Sequence, residues 1–146
     1  MVVALIRAAP RRTGCSIAHA NRILPGVASF TELIAWREAI DLAARITEFV
    51  ELIKGPSAQS VREQLIRAAN SIAANIAEGH GRGISRDGIR FMRMGRSSAS
   101  EVENHLRAAL CARRVPLHPT EDLIGHSRRA GYLIYRLELS IQRRLA

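Results

Sequence analysis

Aromatic side chains are scarce in this chain of 146 residues: one Trp, two Tyr and three Phe make 4%. That argues against a module that reads nucleobases on a broad aromatic platform. Cysteine is nearly as rare. Cys15 and Cys111 are the only two and lack metal-ligand spacing, which excludes a disulfide framework and suits a reducing cytoplasm. No apolar run approaches the ~20 residues of a membrane span. Alternating β-branched stretches and Asn-Gly hairpin signals are missing, and so are internal repeats. Lysine occurs once, as Lys54, among 22 basic residues, yet with 13 acids the formal net charge is +9. A GC-rich coding sequence favours arginine over lysine. It does not account for the excess of base over acid or for where the arginines cluster. Such a balance attracts polyanions.

Catalytic constellations are absent as well. No histidine (His19, His80, His105, His118, His126) follows a glutamate by three residues, as di-iron helical bundles require. Glu101 and His105 lie four apart, as do Asp122 and His126, a spacing typical of surface contacts. Gly79, Gly81 and Gly83 follow a helix, not a strand, and no Gly-Lys-Ser/Thr comes after them, so a phosphate-binding P-loop is a poor reading. No nucleophile stands beside a base. The expectation is a protein that is not an enzyme, with no cofactor and no metal.

What is present is helical periodicity. Residues 1–28 carry Arg7, Arg11, Arg12 and Arg22, no acid, and the breakers Pro10, Gly14, Pro25 and Gly26, which reads as a disordered basic extension. An Arg-rich, acid-poor start also resembles a transit peptide, but Arg7 interrupts the apolar run too early for a secretory signal. Residues 29–146 read as one domain of four amphipathic helices, an all-α antiparallel up-and-down bundle. Ser29 and Glu32 suggest a capping box for the first helix, whose stripe is Trp36, Ala39, Ile40, Ala43, Ile46, Val50 and Ile53. Gly55-Pro56 ends it. Ser57 is the expected cap of the second helix, with Val61, Leu65, Ala69, Ile72, Ala73 and Ile76 inward and Gly79 as terminator. Ser85 caps a third helix reaching about Cys111, with Phe91, Met92, Gly95, Ala99, Val102, Leu106, Ala109 and Leu110 inward. After Pro116 and Pro119, Thr120 is the expected cap of the fourth. Its inner positions are Leu123, Ser127, Ala130, Ile134, Leu137, Ile141 and Leu145.

Three polar features stand out on this frame. Gln64, Arg67, Ser71, Asn75 and Glu78 form one narrow stripe on the second helix, away from its apolar face. Asn and Ser are poor mid-helix residues, so the ladder is either an ordinary wet face or a network that fixes bundle register or a subunit contact. Arg82, Arg86, Arg90, Arg93 and Arg96 stand against one acid, Asp87, over the loop and start of the third helix. Their planar forks suit phosphate, and a solvated or interface-pairing face is the alternative. Arg129, Tyr132, Arg136, Leu139 and Arg143 mark the outer side of the fourth helix and suggest a face covered in an oligomer, with stacking on a base the weaker alternative because the chain has few aromatics.

The motifs Gln64-Leu65-x-Arg67-Ala68-Ala69 and Ser71-Ile72-x-x-Asn75-Ile76-Ala77-Glu78-Gly79-x-Gly81-Arg82 resemble those of the 23S rRNA intervening-sequence family. Phe91, Arg96, Ser98, Glu101, Glu103 and Leu106 match its later block, and Phe30, Leu33, Trp36 and Ala39 its opening. The resemblance covers roughly Phe30 to Leu145. It implies a four-helix bundle assembling with copies of itself as a homopentamer. Through a related branch, the accessory variability protein of diversity-generating retroelements, it implies RNA or DNA and a reverse transcriptase or similar nucleic-acid enzyme as partners. Ala73 stands where the family often has proline, and Gly88 where it usually has an aromatic. The function expected is therefore a non-catalytic cytoplasmic accessory factor that binds RNA or DNA through its arginine faces. The alternative is a structural or protein-interaction module whose arginines serve its own assembly. No membrane partner is expected.

Overall fold

The computed structural model describes Val27 and residues 29–146. The expectation of a disordered extension over 1–28 falls, Val27 apart, outside the described residues. Val27 itself is fully buried in the core. Among the described residues four helices form the bundle: α1 (Ile34–Phe49), α2 (Ala58–Gly81), α3 (Arg86–Cys111) and α4 (Leu117–Leu145). α3 packs against α2 and α4, and α1 closes the ring against the same two helices. No helix among the described residues is long and apolar enough to cross a membrane.

The core is aliphatic. Leu42, Ile46, Leu65, Ile72, Ile76, Met92, Leu106, Ile134 and Ile141 are all fully buried, so four apolar stripes share one interior. The stripe of α1 is rotated from the expected one. Ile40 is exposed, and the buried positions are Ala35, Ala39, Leu42, Ala43, Ile46 and Phe49. Leu145, expected inside, is also exposed, because it closes the last turn of α4 beyond its neighbours.

Helix ends follow backbone chemistry, with several departures from the expected caps. Ser29 accepts from the Thr31 amide and starts a short 3₁₀ turn, Phe30–Glu32, before α1 proper begins beyond Leu33. Ser57 does not cap α2 with its side chain. It sits in left-handed geometry at φ 62°, carried there by the preceding Gly55-Pro56 turn, where Gly55 has φ 97°. Ser85 does cap α3, its Oγ accepting from the Gly88 amide at 2.9 Å. Thr120 is not the start of α4. The helix begins at Leu117, because a proline at the third helical position, Pro119, removes only an N–H that has no intrahelical acceptor. The Thr120 hydroxyl instead donates back to the Pro116 carbonyl at 2.6 Å.

Gly79 does not terminate α2 either. The helix continues to Gly81, and Gly83, at φ 64°, takes the left-handed position. Gly79 is needed for another reason. A Cβ there would lie 2.7 Å from Met92 Cε and 3.2 Å from the Gly88 carbonyl oxygen. A Cβ on Gly88 would lie 2.4 Å from the Gly83 carbonyl oxygen. The two glycines let the end of α2 and the start of α3 approach backbone to backbone. Gly88 therefore marks a tight junction, and α2 runs unbroken through Ala73.

Candidate functional site

The arginine-rich start of α3 lies on the outside of the bundle. The side chains of Arg90, Arg93, Arg82 and Arg96 are 71%, 63%, 50% and 43% exposed. Helical spacing puts Arg86, Arg90 and Arg93 on one face, and the Ser85 cap fixes where that face begins.

Carboxylates of the same chain hold most of these guanidinium groups. Arg82 reaches Glu78 one turn earlier at 2.6 Å, which raises its pKa above the ordinary value. Asp87 lies 3.9 Å from Arg82 and 4.0 Å from Arg90. Arg93 Nε donates to Glu138 Oε1 at 2.7 Å, and Arg96 Nη1 donates to Glu138 Oε2 at 2.8 Å. Arg86 has no carboxylate partner among the described residues. The patch thus sets five guanidinium groups against three carboxylates, Glu78, Asp87 and Glu138, and its arginines remain open to solvent.

Glu138 is the residue that sequence reasoning missed. It is buried on α4, with only 4% of its side chain exposed, and it also accepts from Gln142. The signal was available: Ile134, Glu138 and Ile141 are spaced by four and three, so a glutamate occupies the apolar stripe. A carboxylate there must be satisfied, and two arginines arriving from α3 do this. Their positions are thereby set from beneath.

The polar ladder of α2 divides. Gln64, Arg67 and Glu78 are exposed, whereas Asn75 is buried and Ser71 half-buried. Asn75 Nδ2 donates to the Ser71 carbonyl at 2.8 Å and to Ser71 Oγ at 3.1 Å, and Ser98 Oγ on α3 donates to Ser71 Oγ at 3.0 Å. The middle of the stripe therefore faces α3 and ties the two helices together. Gly95 makes room, since a Cβ there would already touch Asn75 Cβ at 3.4 Å.

Two grooves flank α3. The one between α2 and α3, about 460 Å³, is lined by Ser71, Asn75 and Ser98 below and by Arg86, Arg90 and Arg93 above. The one between α3 and α4, about 610 Å³, is lined by Arg93, Arg96, Arg128, Tyr132 and Tyr135, with Gly131 and Ala99 between them. Glu103 in this groove accepts from Arg128 at 2.8 and 3.0 Å and from Arg107 at 2.8 Å. The hydrogen bond from Arg128 is the main cause holding its carboxyl below the usual range, and the same bond raises the pKa of Arg128.

The outer face of α4 is less uniform than expected. Arg129 pairs with Glu38 of α1 at 3.2 Å. Tyr132 is exposed and its hydroxyl accepts from Arg136 at 2.9 Å. Leu139 is half-buried and Arg143 is exposed. The histidine pairs also differ in part. Glu101 and His105 do approach, at 3.6 Å. His126 does not turn to Asp122. It lies 3.2 Å from Glu38 and accepts on Nδ1 from Arg45 of α1 at 3.1 Å, while Asp122 lies 3.5 Å from His118. Among the described residues no three or more His, Cys, Asp or Glu side chains group as a metal site.

The family described as "23S rRNA-intervening sequence protein" matches the chain over residues 31–135. Among solved structures, a Bacteroides thetaiotaomicron VPI-5482 protein of unknown function from the S23 ribosomal protein family is similar. It shares 21% identity at a TM-score of 0.60, over 69% of this chain and 94% of that one. At that identity the likeness speaks for the fold alone. No curated protein matches the sequence.

Proposed function

The chain belongs to the 23S rRNA-intervening sequence protein family, and from that premise we propose that it is a non-catalytic cytoplasmic accessory protein that binds RNA or DNA along the outer face of α3. The supporting observation is the arrangement of Arg86, Arg90, Arg93 and Arg96. They are exposed, spaced by helical turns and in part braced by a buried glutamate. Bracing matters because a guanidinium already held in place loses less freedom when it meets a phosphate. Accessory work beside a nucleic-acid enzyme such as a reverse transcriptase suits a binding face with no reactive group. Assembly with copies of itself, as the pentamer that the resemblance implies, would repeat the face and multiply its avidity.

Arg86→Glu combined with Arg90→Glu tests this reading. Electrophoretic shifts with RNA, single-stranded DNA and duplex DNA at low and moderate salt should show binding by the natural chain and loss in the variant. No binding by the natural chain at low salt refutes the proposal. The second reading is a self-assembly module, favoured by the exposed Met94, Tyr132 and Tyr135. It expects the same variant to lose the oligomer in sedimentation.

A further inference from the structure

We propose that the groove between α3 and α4 seats an unstacked nucleobase, so that the polyanion bound by this protein is single-stranded. The inference rests on the nucleic-acid reading above and adds the form of the ligand.

Its ground is the placement of the aromatics. The chain has only two tyrosines, Tyr132 and Tyr135, and both line this groove. They are 55% and 39% exposed. Of the other aromatics, Phe49 is buried, Phe30 and Trp36 pack half-buried against the core, and Phe91, half-buried on α3, lies under the Arg82 guanidinium, 5.5 Å from its ring centre and outside this groove. A chain so poor in rings that leaves two on one wall gives that wall a stacking surface.

The rings are paired with cations. The guanidinium carbon of Arg96 lies 4.9 Å from the centre of the Tyr135 ring, and that of Arg136 lies 5.8 Å from the Tyr132 ring. Arg96 is held on its other side by Glu138. A guanidinium over one face of a ring leaves a base the ring's other face, or the outer plane of the guanidinium itself, to stack on. Between the walls the groove stays deep because Gly131 has no side chain, and a Cβ there would meet Ala99 Cβ at 3.6 Å. Its volume of about 610 Å³ is in the range of small-molecule sites.

The charge on the rim fits a strand passing through. Glu103 is neutralised by Arg107 and Arg128, while Arg93 stands at the rim of this groove and of the groove between α2 and α3. A backbone whose base enters the groove against the tyrosine wall can lay its next phosphates on Arg93 and then on Arg90 and Arg86. A duplex keeps its bases inside the stack and can use only the arginines.

The test compares a labelled single-stranded RNA oligonucleotide with its duplex, by anisotropy at low salt, on the full chain. The natural protein should bind the single strand more tightly. Tyr132→Leu with Tyr135→Leu should weaken single-strand binding roughly five- to hundredfold and leave duplex binding unchanged. The paired phenylalanine variant, which keeps both rings, should retain it. A strand carrying a fluorescent purine that dims on stacking should lose emission when saturated with the natural protein. Equal affinity for strand and duplex, an unaffected leucine variant, or unchanged purine emission overturns the inference. If Arg86→Glu with Arg90→Glu still abolishes binding in those cases, the polyanion reading survives alone. If the natural protein binds neither form, both fall.

Discussion

Glu138 and Arg93 meet across the seam between α3 and α4, a carboxylate only 4% exposed accepting from an Nε at 2.7 Å while the arginine stays 63% exposed. One partner lies in the core and the other in water. The bond is charge-assisted on a buried acceptor, which places it among the stronger protein hydrogen bonds. Glu138→Gln removes the charge that anchors both Arg93 and Arg96. It should destabilise the bundle by about 1–3 kcal/mol, read from urea unfolding, with helical content unchanged. Stability equal to the natural protein would mean that Glu138 anchors nothing.

The junction of α2 and α3 leads to a contrast between two glycines. Alanine is a better helix former than glycine by roughly 1 kcal/mol. Gly125 on α4 has open space around its Cβ direction, so Gly125→Ala should raise stability by about 0.4–1 kcal/mol. Gly88→Ala should do the opposite, because its methyl would meet the Gly83 carbonyl oxygen at 2.4 Å and backbone cannot yield as a side-chain tip does. Thermal melts of the two variants should move in opposite directions.

His80 should give the bundle a pH dependence. It is buried beside Phe30, with its Nε2 unpaired, and burial pushes its pKa below the ordinary 6.5, against a smaller opposing pull from Glu32. The unfolded chain then binds a proton more readily than the folded one. Stability is full above pH 6.5 and falls as the pH drops from there toward the folded-state value. Glu103 acts in a lower window: its carboxyl is depressed, so its contribution is lost only as pH falls below the ordinary 4.5. His80→Phe should flatten the slope between neutral and mildly acidic pH, measured as unfolding free energy against pH, and leave the lower window as it is.

Salt dependence reports on the arginine face. If Arg86 meets a phosphate, Arg86→Ala should lower the slope of log affinity against log salt by about 0.7–0.9. Arg129→Ala should leave that slope unchanged, since Arg129 is occupied by Glu38 at the seam with α1.

Where one residue type admits one explanation, the sequence was a good guide. Ser85 followed by polar and small residues caps α3 as expected, and most of the expected stripes of α2 and α3 are buried, with Val61, Phe91 and Leu110 only half-buried at their edges. Reading failed where a residue has two uses. Gly79 serves close packing, not chain reversal, because its neighbour across the gap is Gly88, nine positions on. Thr120 and Ser57 carry good capping side chains, but prolines nearby decide where their helices start. The candidate site was half legible: periodicity placed the arginines outside, yet the acid beneath them belongs to another helix, far along the chain. Local spacing marks Glu138 as misplaced on an apolar stripe but says nothing of the two residues that satisfy it.

Arg93 is a shared wall, standing at the edge of both hollows beside α3. The two hollows are consequently not separate berths. A guest that drew this guanidinium toward itself would thin the opposite bank, so short guests admitted on both sides would hinder one another, whereas one long guest crossing the ridge would use the same cation once and meet no such rivalry.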